Sequence, residues 1–286
     1  MKKRIWLITG CSTGFGRELT KVVADNDEMV VGTVRKQEQV SEFEAINQDL
    51  VKGIVLDVQN QSSIDAAKKM ITDVYGRVDV LVNNAGYGTI GALEETSDEE
   101  IVRQFDVNVF GAIRMLKLVL PFMRKQRSGN ILNITSIAGL NGFPGISIYN
   151  GSKFALEGIG EALAAETRHL GIKVTNVEPG PFRTDWAGRS ATYNESKISD
   201  YEESAAKNLN SIKSASGNQI GDPVRAVKAM FELTKLENPP VHLPLGGPAY
   251  NRVGIKLAEF KEEIEKFEYL GKPTDYSEDE LKALEK

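Results

Sequence analysis

The stretch IWLITGCSTGFGRELTKVVA, residues 5–24, joins an apolar run to a glycine-rich loop and then to an apolar pattern of helical period. The run at residues 5–9 predicts a buried strand, and the apolar positions between residues 15 and 23 predict a helix. Glycines let a backbone approach a pyrophosphate closely, and the free N–H groups of a helix N-terminus attract an anion. The spacing Gly10-x3-Gly14-x-Gly16 is looser than the common dinucleotide fingerprint. Its place between strand and helix nevertheless favours nucleotide binding over an ordinary turn.

Outward from this unit, apolar runs alternate with helical periods, which is typical of parallel βαβ units. Further strands are predicted at residues 29–34, 51–58, 78–82, 130–135, 172–177 and 241–245, and longer helices at about 97–127, 149–169 and 223–236. Residues 182–221 are polar and weakly patterned, and a charged tail covers residues 255–286. We therefore predict one α/β domain over residues 1–286. It is a doubly wound, seven-stranded parallel sheet of Rossmann type with a substrate-loop insertion at 182–221 and a C-terminal helical tail.

Composition limits the classes of partner. A net charge of −5 gives no electrostatic case for binding nucleic acid or an anionic membrane. The single cysteine, Cys11, excludes an internal disulfide and suits a reducing compartment. The first apolar run ends at Gly10, too short for a signal peptide, and no run approaches the ~20 apolar residues of a membrane span. We expect a soluble, cytoplasmic protein, and we predict no metal site because no Cys/His/Asp grouping has ligand spacing.

The tip of the second strand indicates which nucleotide binds. A site for the NAD ribose needs a carboxylate about 20 residues further on, which accepts from the 2′-hydroxyl. Here residues 32–36 read Gly-Thr-Val-Arg-Lys, without an acid. A carboxylate would repel a 2′-phosphate, whereas the planar guanidinium of Arg35 can bind one, so the sequence favours NADP(H) over NAD(H). The alternative is that Arg35 and Lys36 are solvated loop charges.

Two further strand tips carry candidate cofactor contacts. Asp57 is placed to accept a hydrogen bond from an adenine amine, and residues 83–86, Asn-Asn-Ala-Gly, supply small side chains where a cofactor would lie against the sheet. Open α/β sheets bind ligands at the carboxyl ends of their strands, so the positions agree with one another. Asp and Asn-Gly are also routine turn formers, so each signal alone is weak.

A tyrosine and a lysine at helical spacing indicate proton transfer. Tyr149 and Lys153 stand four residues apart, which on one helix places both on the same face, roughly 6 Å apart along the axis. A phenol has a pKa near ~10, and a nearby cation favours the phenolate. We therefore predict that Lys153 lowers the pKa of Tyr149 and that Ser136, just after a strand, places a hydroxyl beside the phenol. The alternative is that the pair is only the edge of an amphipathic helix.

Asn108 is unusual because it lies in the middle of an apolar helix, where Asn is a poor helix former. Two interpretations stay open. The side chain either bonds a neighbouring carbonyl for structural reasons, or it belongs to a kinked helix that holds a water near the active site.

Together these motifs resemble those of the short-chain dehydrogenase/reductases, in particular their single-domain branch. The resemblance rests on Thr9-Gly10-x3-Gly14-x-Gly16, residues 83–86, Tyr149-x3-Lys153, and Ser136 thirteen residues before the tyrosine. Residues 138–158 look closest to the retinol and hydroxysteroid dehydrogenase cluster. The resemblance implies the catalytic set Asn108, Ser136, Tyr149 and Lys153. The implied cofactor-binding residues are Gly10, Ser12, Thr13, Gly14, Phe15, Gly16, Thr33, Arg35, Asp57, Val58, Asn84, Ala85, Gly86, Tyr149, Lys153, Pro179, Gly180 and Thr184.

The resemblance also implies a strand order 3-2-1-4-5-6-7 and hydride transfer between a nicotinamide and a carbonyl or alcohol carbon. Tyr149 would act as general acid/base, Lys153 would bind the nicotinamide ribose, and Asn108 would seat a water. It further implies a homodimer that pairs the helices carrying Asn108 and Tyr149. A catalytically silent NADP(H)-binding sensor or scaffold is the alternative, and a sugar epimerase fits less well because no second domain follows strand six.

The substrate wall is mostly apolar, which predicts a pocket for an apolar ketone or aldehyde. The alternative is that these side chains simply pack the insertion. The predicted substrate-binding residues are Ser136, Phe143, Ile146, Tyr149 and Trp186.

Overall fold

The computed structural model describes residues 3–284 of the chain, and the bounds of its elements follow. The strands are β1 Ile5–Ile8, β2 Met29–Val34, β3 Val51–Val55, β4 Val80–Asn83, β5 Gly88–Ile90, β6 Gly129–Ile134, β7 Ile172–Pro179, β8 Ala191–Tyr193 and β9 His242–Leu245. The helices are α1 Gly14–Asp25, α2 Glu38–Glu44, α3 Gln61–Val74, α4 Asp98–Phe105, α5 Gly111–Gln126, α6 Ser147–Thr167, α7 Lys207–Ala215, α8 Pro223–Leu233, α9 Gly247–Lys266, α10 Glu268–Gly271 and α11 Glu278–Leu284.

Seven strands form one parallel sheet in the order β3-β2-β1-β4-β6-β7-β9. β1 lies in the middle, and Trp6 pairs with Val30 of β2 on one side and with Val80 of β4 on the other. The strand order reverses between β1 and β4, and the crevice above such a reversal is where doubly wound sheets bind ligands. The predicted fold and strand order are therefore confirmed.

Helices cover both faces of the sheet, which explains why its strands read as continuous apolar runs. Alternate residues of β1 point to opposite faces, so that Trp6 packs with α1 and α8, and Leu7 packs with α3 and α5. The indole of Trp6 stacks on the ring of Phe231 at 5.6 Å between centroids. The buried strands hold the loops at their carboxyl ends in fixed positions.

Two features differ from the sequence-based expectation. A second parallel sheet joins β5 to β8 and pairs Gly88 with Ala191, which fastens the insertion to the tip of the main sheet. Three-residue strands leave too short a pattern to predict. The helix expected over residues 97–127 is interrupted by a π-helical turn at Asp106–Phe110, which contains Asn108. Ser97 caps α4 as expected, because its hydroxyl accepts from the Glu100 amide at 3.3 Å.

Among residues 3–284, no helix combines the length and the apolar character that crossing a membrane requires.

Candidate functional site

The glycine loop leads from β1 into the first turn of α1. Gly10 and Gly14 have φ angles of 70° and 58°, a region that favours glycine. A Cβ on Gly16 would lie 2.5 Å from the carbonyl oxygen of Gly10, so the helix approaches the loop more closely than any other residue permits. Within residues 3–284 the Thr13 side chain makes no capping hydrogen bond, which leaves the α1 amides free. The loop therefore fits a pyrophosphate.

Asn84 and Thr9 join the tip of β4 to this loop. The Asn84 amide nitrogen Nδ2 donates to the carbonyl oxygens of Thr9 and Gly10 at 2.8 and 3.0 Å. The Thr9 hydroxyl accepts from the backbone amides of Asn84 and Ala85 at 3.0 and 2.9 Å. Asn84, predicted as a cofactor contact, thus also holds the glycine loop in shape.

A cleft of about 300 Å³ runs along the carboxyl ends of β1, β2, β3 and β4. Its far side is formed by the insertion, which contributes Trp186 and Arg189. Gly16, Pro179 and Gly180 lie outside this lining, Pro179 at the end of β7 and Gly180 where its amide donates to Leu245. The predicted cofactor-binding residues that line the cleft are Gly10, Ser12, Thr13, Gly14, Phe15, Thr33, Arg35, Asp57, Val58, Asn84, Ala85, Gly86 and Thr184.

The tips of β2 and β3 close one end of the cleft. Thr33 is buried, and its hydroxyl accepts from the Gly10 amide at 3.0 Å, so its side chain supports the glycine loop. Arg35 is exposed at the cleft margin, without a neighbouring acid in residues 32–36. Asp57 is also exposed, and its Oδ1 accepts from the Gln59 amide at 2.9 Å. The only charge at the β2 tip that faces the cleft in the described chain is the guanidinium of Arg35.

Tyr149 and Lys153 lie one turn apart on α6 and are both buried. The Lys153 Nζ donates to the Ile134 carbonyl oxygen at 2.8 Å and lies 5.7 Å from the centre of the Tyr149 ring. Burial raises the pKa of Tyr149 to about 12, a shift that the Ser136 hydroxyl opposes. Burial lowers the pKa of Lys153 to about 8, against the attraction of Glu157. The predicted lowering of the Tyr149 pKa by Lys153 is therefore wrong for this structure, because burial raises the pKa and only the Ser136 hydroxyl opposes that shift.

Asn108 sits where the π-helical turn meets α6. Its Nδ2 donates to the Tyr87 carbonyl at 2.9 Å and to the Ser152 hydroxyl at 3.1 Å, and its Oδ1 accepts from the Tyr87 amide at 3.1 Å. The structural interpretation is confirmed, because the amide donates to the Tyr87 carbonyl. The helix is irregular here, as the other interpretation requires, and the water that it would hold stays a prediction. A Cβ on Gly86 would lie 3.1 Å from Asn108 Oδ1 and 3.7 Å from Lys153 Nζ. Gly86 therefore separates the cleft from the catalytic candidates by a single layer of backbone.

The insertion covers Tyr149. The Trp186 ring lies 5.1 Å from the Tyr149 ring between centroids, and a Cβ on Gly88 would touch the indole at 2.5 Å. Ile146 is buried in the same apolar cluster, and Phe143 packs against it. Phe143, Ile146 and Trp186 thus pack together beside the phenol, and their role as substrate contacts stays a prediction. Tyr193 of the insertion also packs against this cluster. Sequence reasoning did not identify its remaining members, which are Ile90, Ala138, Ala191, Leu209 and Ile212.

The sequence analysis also did not identify two groups of charged side chains. The guanidinium of Arg189 donates to the Thr13 hydroxyl and pairs with Asp185 at 3.2 Å, so the insertion brings a cation to the glycine loop. The polar composition of residues 182–221 gave no signal for this placement.

The second feature is an acidic cluster at the β7–β9 edge. His242 Nδ1 lies 2.8 Å from Glu178 Oε1 and 3.4 Å from Glu157 Oε2. Burial raises the pKa of Glu178 to about 7. Burial opposes protonation of His242, but the hydrogen bond to Glu178 and the other carboxylates raise its pKa overall. Glu157 was visible in the sequence as the next position after Tyr149 and Lys153 at intervals of four.

Comparisons with known proteins agree with this geometry. A family model described as short chain dehydrogenase matches residues 4–195. The chain is 38% identical over 247 residues to 3-ketodihydrosphingosine reductase of Bacteroides thetaiotaomicron, covering 86% of this chain and 89% of that protein. It is 41% identical over 194 residues to human retinol dehydrogenase 8, covering 65% and 61% of the two chains.

Solved structures show the same fold. A short-chain dehydrogenase from Streptomyces avermitilis superposes with a TM-score of 0.90 at 37% identity, covering 96% of this chain and 99% of that one. ElxO with NADP bound has a TM-score of 0.72 at 28% identity, covering 87% and 100%. The 3-ketoacyl-(acyl-carrier-protein) reductase from Brucella melitensis, complexed with NADH, has a TM-score of 0.72 at 25% identity, covering 86% and 98%.

Proposed function

The chain belongs to the short-chain dehydrogenase family, and from this premise we propose that it is an NADP(H)-dependent oxidoreductase. It transfers a hydride between the nicotinamide and an apolar ketone or aldehyde, or the corresponding secondary alcohol. Tyr149 is its general acid/base.

One observation carries this proposal, which is the position of Gly86 between the cleft and the proton-transfer pair. Gly86 lines the cleft that begins at the glycine loop, and the space where its Cβ would lie is 3.7 Å from the Lys153 nitrogen. A dinucleotide lying along the cleft would therefore end beside Lys153 and Tyr149. A protein that only sensed the nucleotide would need the glycine loop but no buried phenol at its end.

The residues divide the chemistry as follows. When bound, reduced nicotinamide supplies the hydride. Tyr149 holds its proton at neutral pH, because burial raises the pKa of the phenol to about 12, and donates it to the carbonyl oxygen of the substrate. The Ser136 hydroxyl stabilises the developing charge on that oxygen, an effect that can reach ~3 kcal/mol. Lys153 places a cation beneath the phenol, and Asn108 fixes the Tyr87 backbone next to it.

A tyrosine substitution tests the role of the phenol. With NADPH and a panel of apolar ketones and aldehydes, Tyr149→Phe should lower kcat by about two to four orders of magnitude and leave NADPH binding unchanged. Tyr75→Phe, at the end of α3 and remote from the cleft, is the matched control and should keep full activity. Turnover retained in Tyr149→Phe would remove proton transfer from this residue.

The preference for NADP(H) rests on Arg35. Its guanidinium stands exposed at the cleft margin, at the end of a strand whose tip carries no acid. Relatives with NADP and with NADH are both known, so only this local charge supports the choice. Arg35→Asp should reverse the ratio of kcat/KM for NADPH over NADH, whereas Lys228→Asp, exposed on α8, should leave it unchanged. An unaltered ratio in Arg35→Asp would exclude this contact.

Reduction is the proposed direction, because NADP(H) is usually kept reduced in cells and Tyr149 carries the proton that a carbonyl oxygen must receive. Two relatives carry the names of a reductase and a dehydrogenase, so names alone do not decide the direction. The apolar cluster around Tyr149, with Phe143, Ile146 and Trp186, supports an apolar substrate.

Catalytic silence is the second candidate, and the cover over Tyr149 favours it. Trp186 lies on the phenol, and within residues 3–284 none of the four catalytic candidates lines the main cleft. A silent protein would bind NADPH but turn over no carbonyl, in the wild type and in Trp186→Ala alike. Turnover that appears or increases in Trp186→Ala would favour the enzyme.

We also propose a homodimer through α4, α5 and α6. Large apolar side chains stand exposed on this surface, namely Val102, Phe110 and Phe154. Exposed apolar patches of this kind are typical of subunit contacts.

A further inference from the structure

Helix α9 leaves the body of the protein after its first turns. Ala249 is fully buried, and the Arg252 guanidinium lies 5.9 Å from the centre of the Phe143 ring. From residue 257 to residue 284, by contrast, every residue is exposed. The second half of α9 therefore presents all its faces to solvent.

Apolar side chains follow one stripe along this helix at alternating steps of three and four residues. That spacing is the a/d pattern of a coiled coil. Single exposed apolar residues are ordinary, but a regular stripe calls for a partner. Three central members, Leu257, Phe260 and Ile264, are 63%, 52% and 55% exposed. We call this stripe the α9 seam, and its members are Tyr250, Val253, Leu257, Phe260 and Ile264, together with Phe267, which directly follows the helix.

Charges beside the seam decide what kind of helix can pair with it. Lys256 and Glu263 occupy the g positions on one flank, and Lys261 occupies an e position on the other. In a parallel pair of α9 helices, g faces e of the partner, which would set Lys256 of each copy against Lys261 of the other. In an antiparallel pair, g faces g, so Lys256 of each copy meets Glu263 of the other. Like charges oppose the first arrangement, and opposite charges stabilise the second.

We propose that the α9 seam packs antiparallel against the α9 seam of a second copy of this chain, around a two-fold axis. Each member of the seam then finds a partner in the other copy. An isologous contact of this kind is the commonest form of dimer. The facing pairs are Tyr250 with Phe267, Val253 with Ile264, and Leu257 with Phe260.

A lipid surface suits the same helix less well. Helices that lie on anionic membranes carry lysine and arginine on their polar face. The polar face of α9 instead carries as many acids as bases, with Glu259, Glu262, Glu263 and Glu265 among them. No member of the seam is a candidate catalytic, cofactor-binding or substrate-binding residue, so the pairing does not depend on the proposed reaction.

Charge reversal in the full-length protein tests both the contact and its direction. We expect sedimentation equilibrium to show that Lys256→Glu and Glu263→Lys each weaken self-association about tenfold, since by symmetry each change turns two attractive pairs into repulsive ones. The double variant and an equimolar mixture of the two single variants should both recover wild-type affinity. Glu262→Lys, on the opposite face of α9, is the matched control and should change nothing. Stronger association of Lys256→Glu would indicate parallel helices and overturn the proposal.

A second variant tests the seam itself. Leu257→Asp/Phe260→Asp alters exposed positions only, so circular dichroism and thermal melting should match the wild type, while the mass of the assembly should fall by half. An unchanged mass would overturn the proposal. So would wild-type protein that does not self-associate but floats with vesicles of equal parts phosphatidylcholine and phosphatidylglycerol, since that result assigns the seam to a membrane.

Discussion

Lys153 allows a direct measurement of the free-energy cost of burying a charged amine in this site. The ammonium is buried, and its hydrogen bond goes to a neutral acceptor, the carbonyl oxygen of Ile134 at 2.8 Å. Burial lowers the pKa of the amine from 10.5 to about 8, in spite of Glu157. We expect the contribution of this amine to the free energy of unfolding to increase as the pH rises from 7 to 10.

The sign follows from proton binding. Between pH 8 and 10.5 the Lys153 amine is mostly neutral in the folded protein and mostly charged in the unfolded chain. The unfolded state then binds more protons, so stability rises with pH. The cost of burying the charge is fully present below pH 8 and is relieved above it. At about 1.4 kcal/mol per pKa unit, the gain between pH 7 and 10 is roughly 2 to 3 kcal/mol.

Guanidinium denaturation of the wild type and of Lys153→Met isolates this contribution, because other titrating groups cancel in the difference. Methionine has a similar length and does not titrate. The difference in unfolding free energy should shift in favour of the wild type by about 2 to 3 kcal/mol between pH 7 and 10. Lys228→Met, exposed on α8, should give a pH-independent difference. A pH-independent difference for Lys153→Met would refute the reasoning, since the amine would then keep an ordinary pKa.

Three further predictions concern the glycine loop, the Trp186 side chain over Tyr149, and Glu178 at the edge of the sheet. Gly16→Ala places a Cβ 2.5 Å from the Gly10 carbonyl oxygen, so isothermal titration should show NADPH affinity reduced at least about tenfold, with a stability loss of about 1–3 kcal/mol by denaturation. Trp186→Ala uncovers Tyr149, so mass spectrometry should find faster nitration of Tyr149 by tetranitromethane than in the wild type. Glu178 has a pKa raised to about 7, so its contribution to wild-type stability falls as the pH rises from 4.5 to 7. The melting temperature of Glu178→Gln relative to wild type should therefore rise as the pH rises over that range.

The sequence was sufficient for the elements whose signals are local. The apolar run of β1, the glycines at 10, 14 and 16, and the Asp222-Pro223 start of α8 each specify a short piece of backbone by sterics or capping. Alternation of such pieces predicts a parallel sheet, because βαβ connections leave few topologies. The seven-stranded sheet can therefore be predicted from the sequence alone.

Contacts between distant segments of the chain could not be predicted from the sequence. β5 and β8 are three residues each and pair across about a hundred positions, and Arg189 reaches Thr13 from an insertion of polar composition. Glu157, Glu178 and His242 come from three different elements and become neighbours only through the sheet order. Neither propensity nor periodicity encodes such neighbours, since both describe residues within one element.

The pKa of Tyr149 illustrates the same limit in energetic terms. Spacing along α6 correctly placed Lys153 beside the phenol, and Coulomb attraction alone would lower the pKa of Tyr149. Burial acts on both groups at once, however: it raises the pKa of the phenol to about 12 and lowers that of the ammonium to about 8, so both lean toward their neutral forms. A neutral phenol can donate a proton, whereas a phenolate can accept one. The burial that contradicts the sequence-based pKa therefore keeps the phenol protonated, which is the state that a general acid needs for carbonyl reduction.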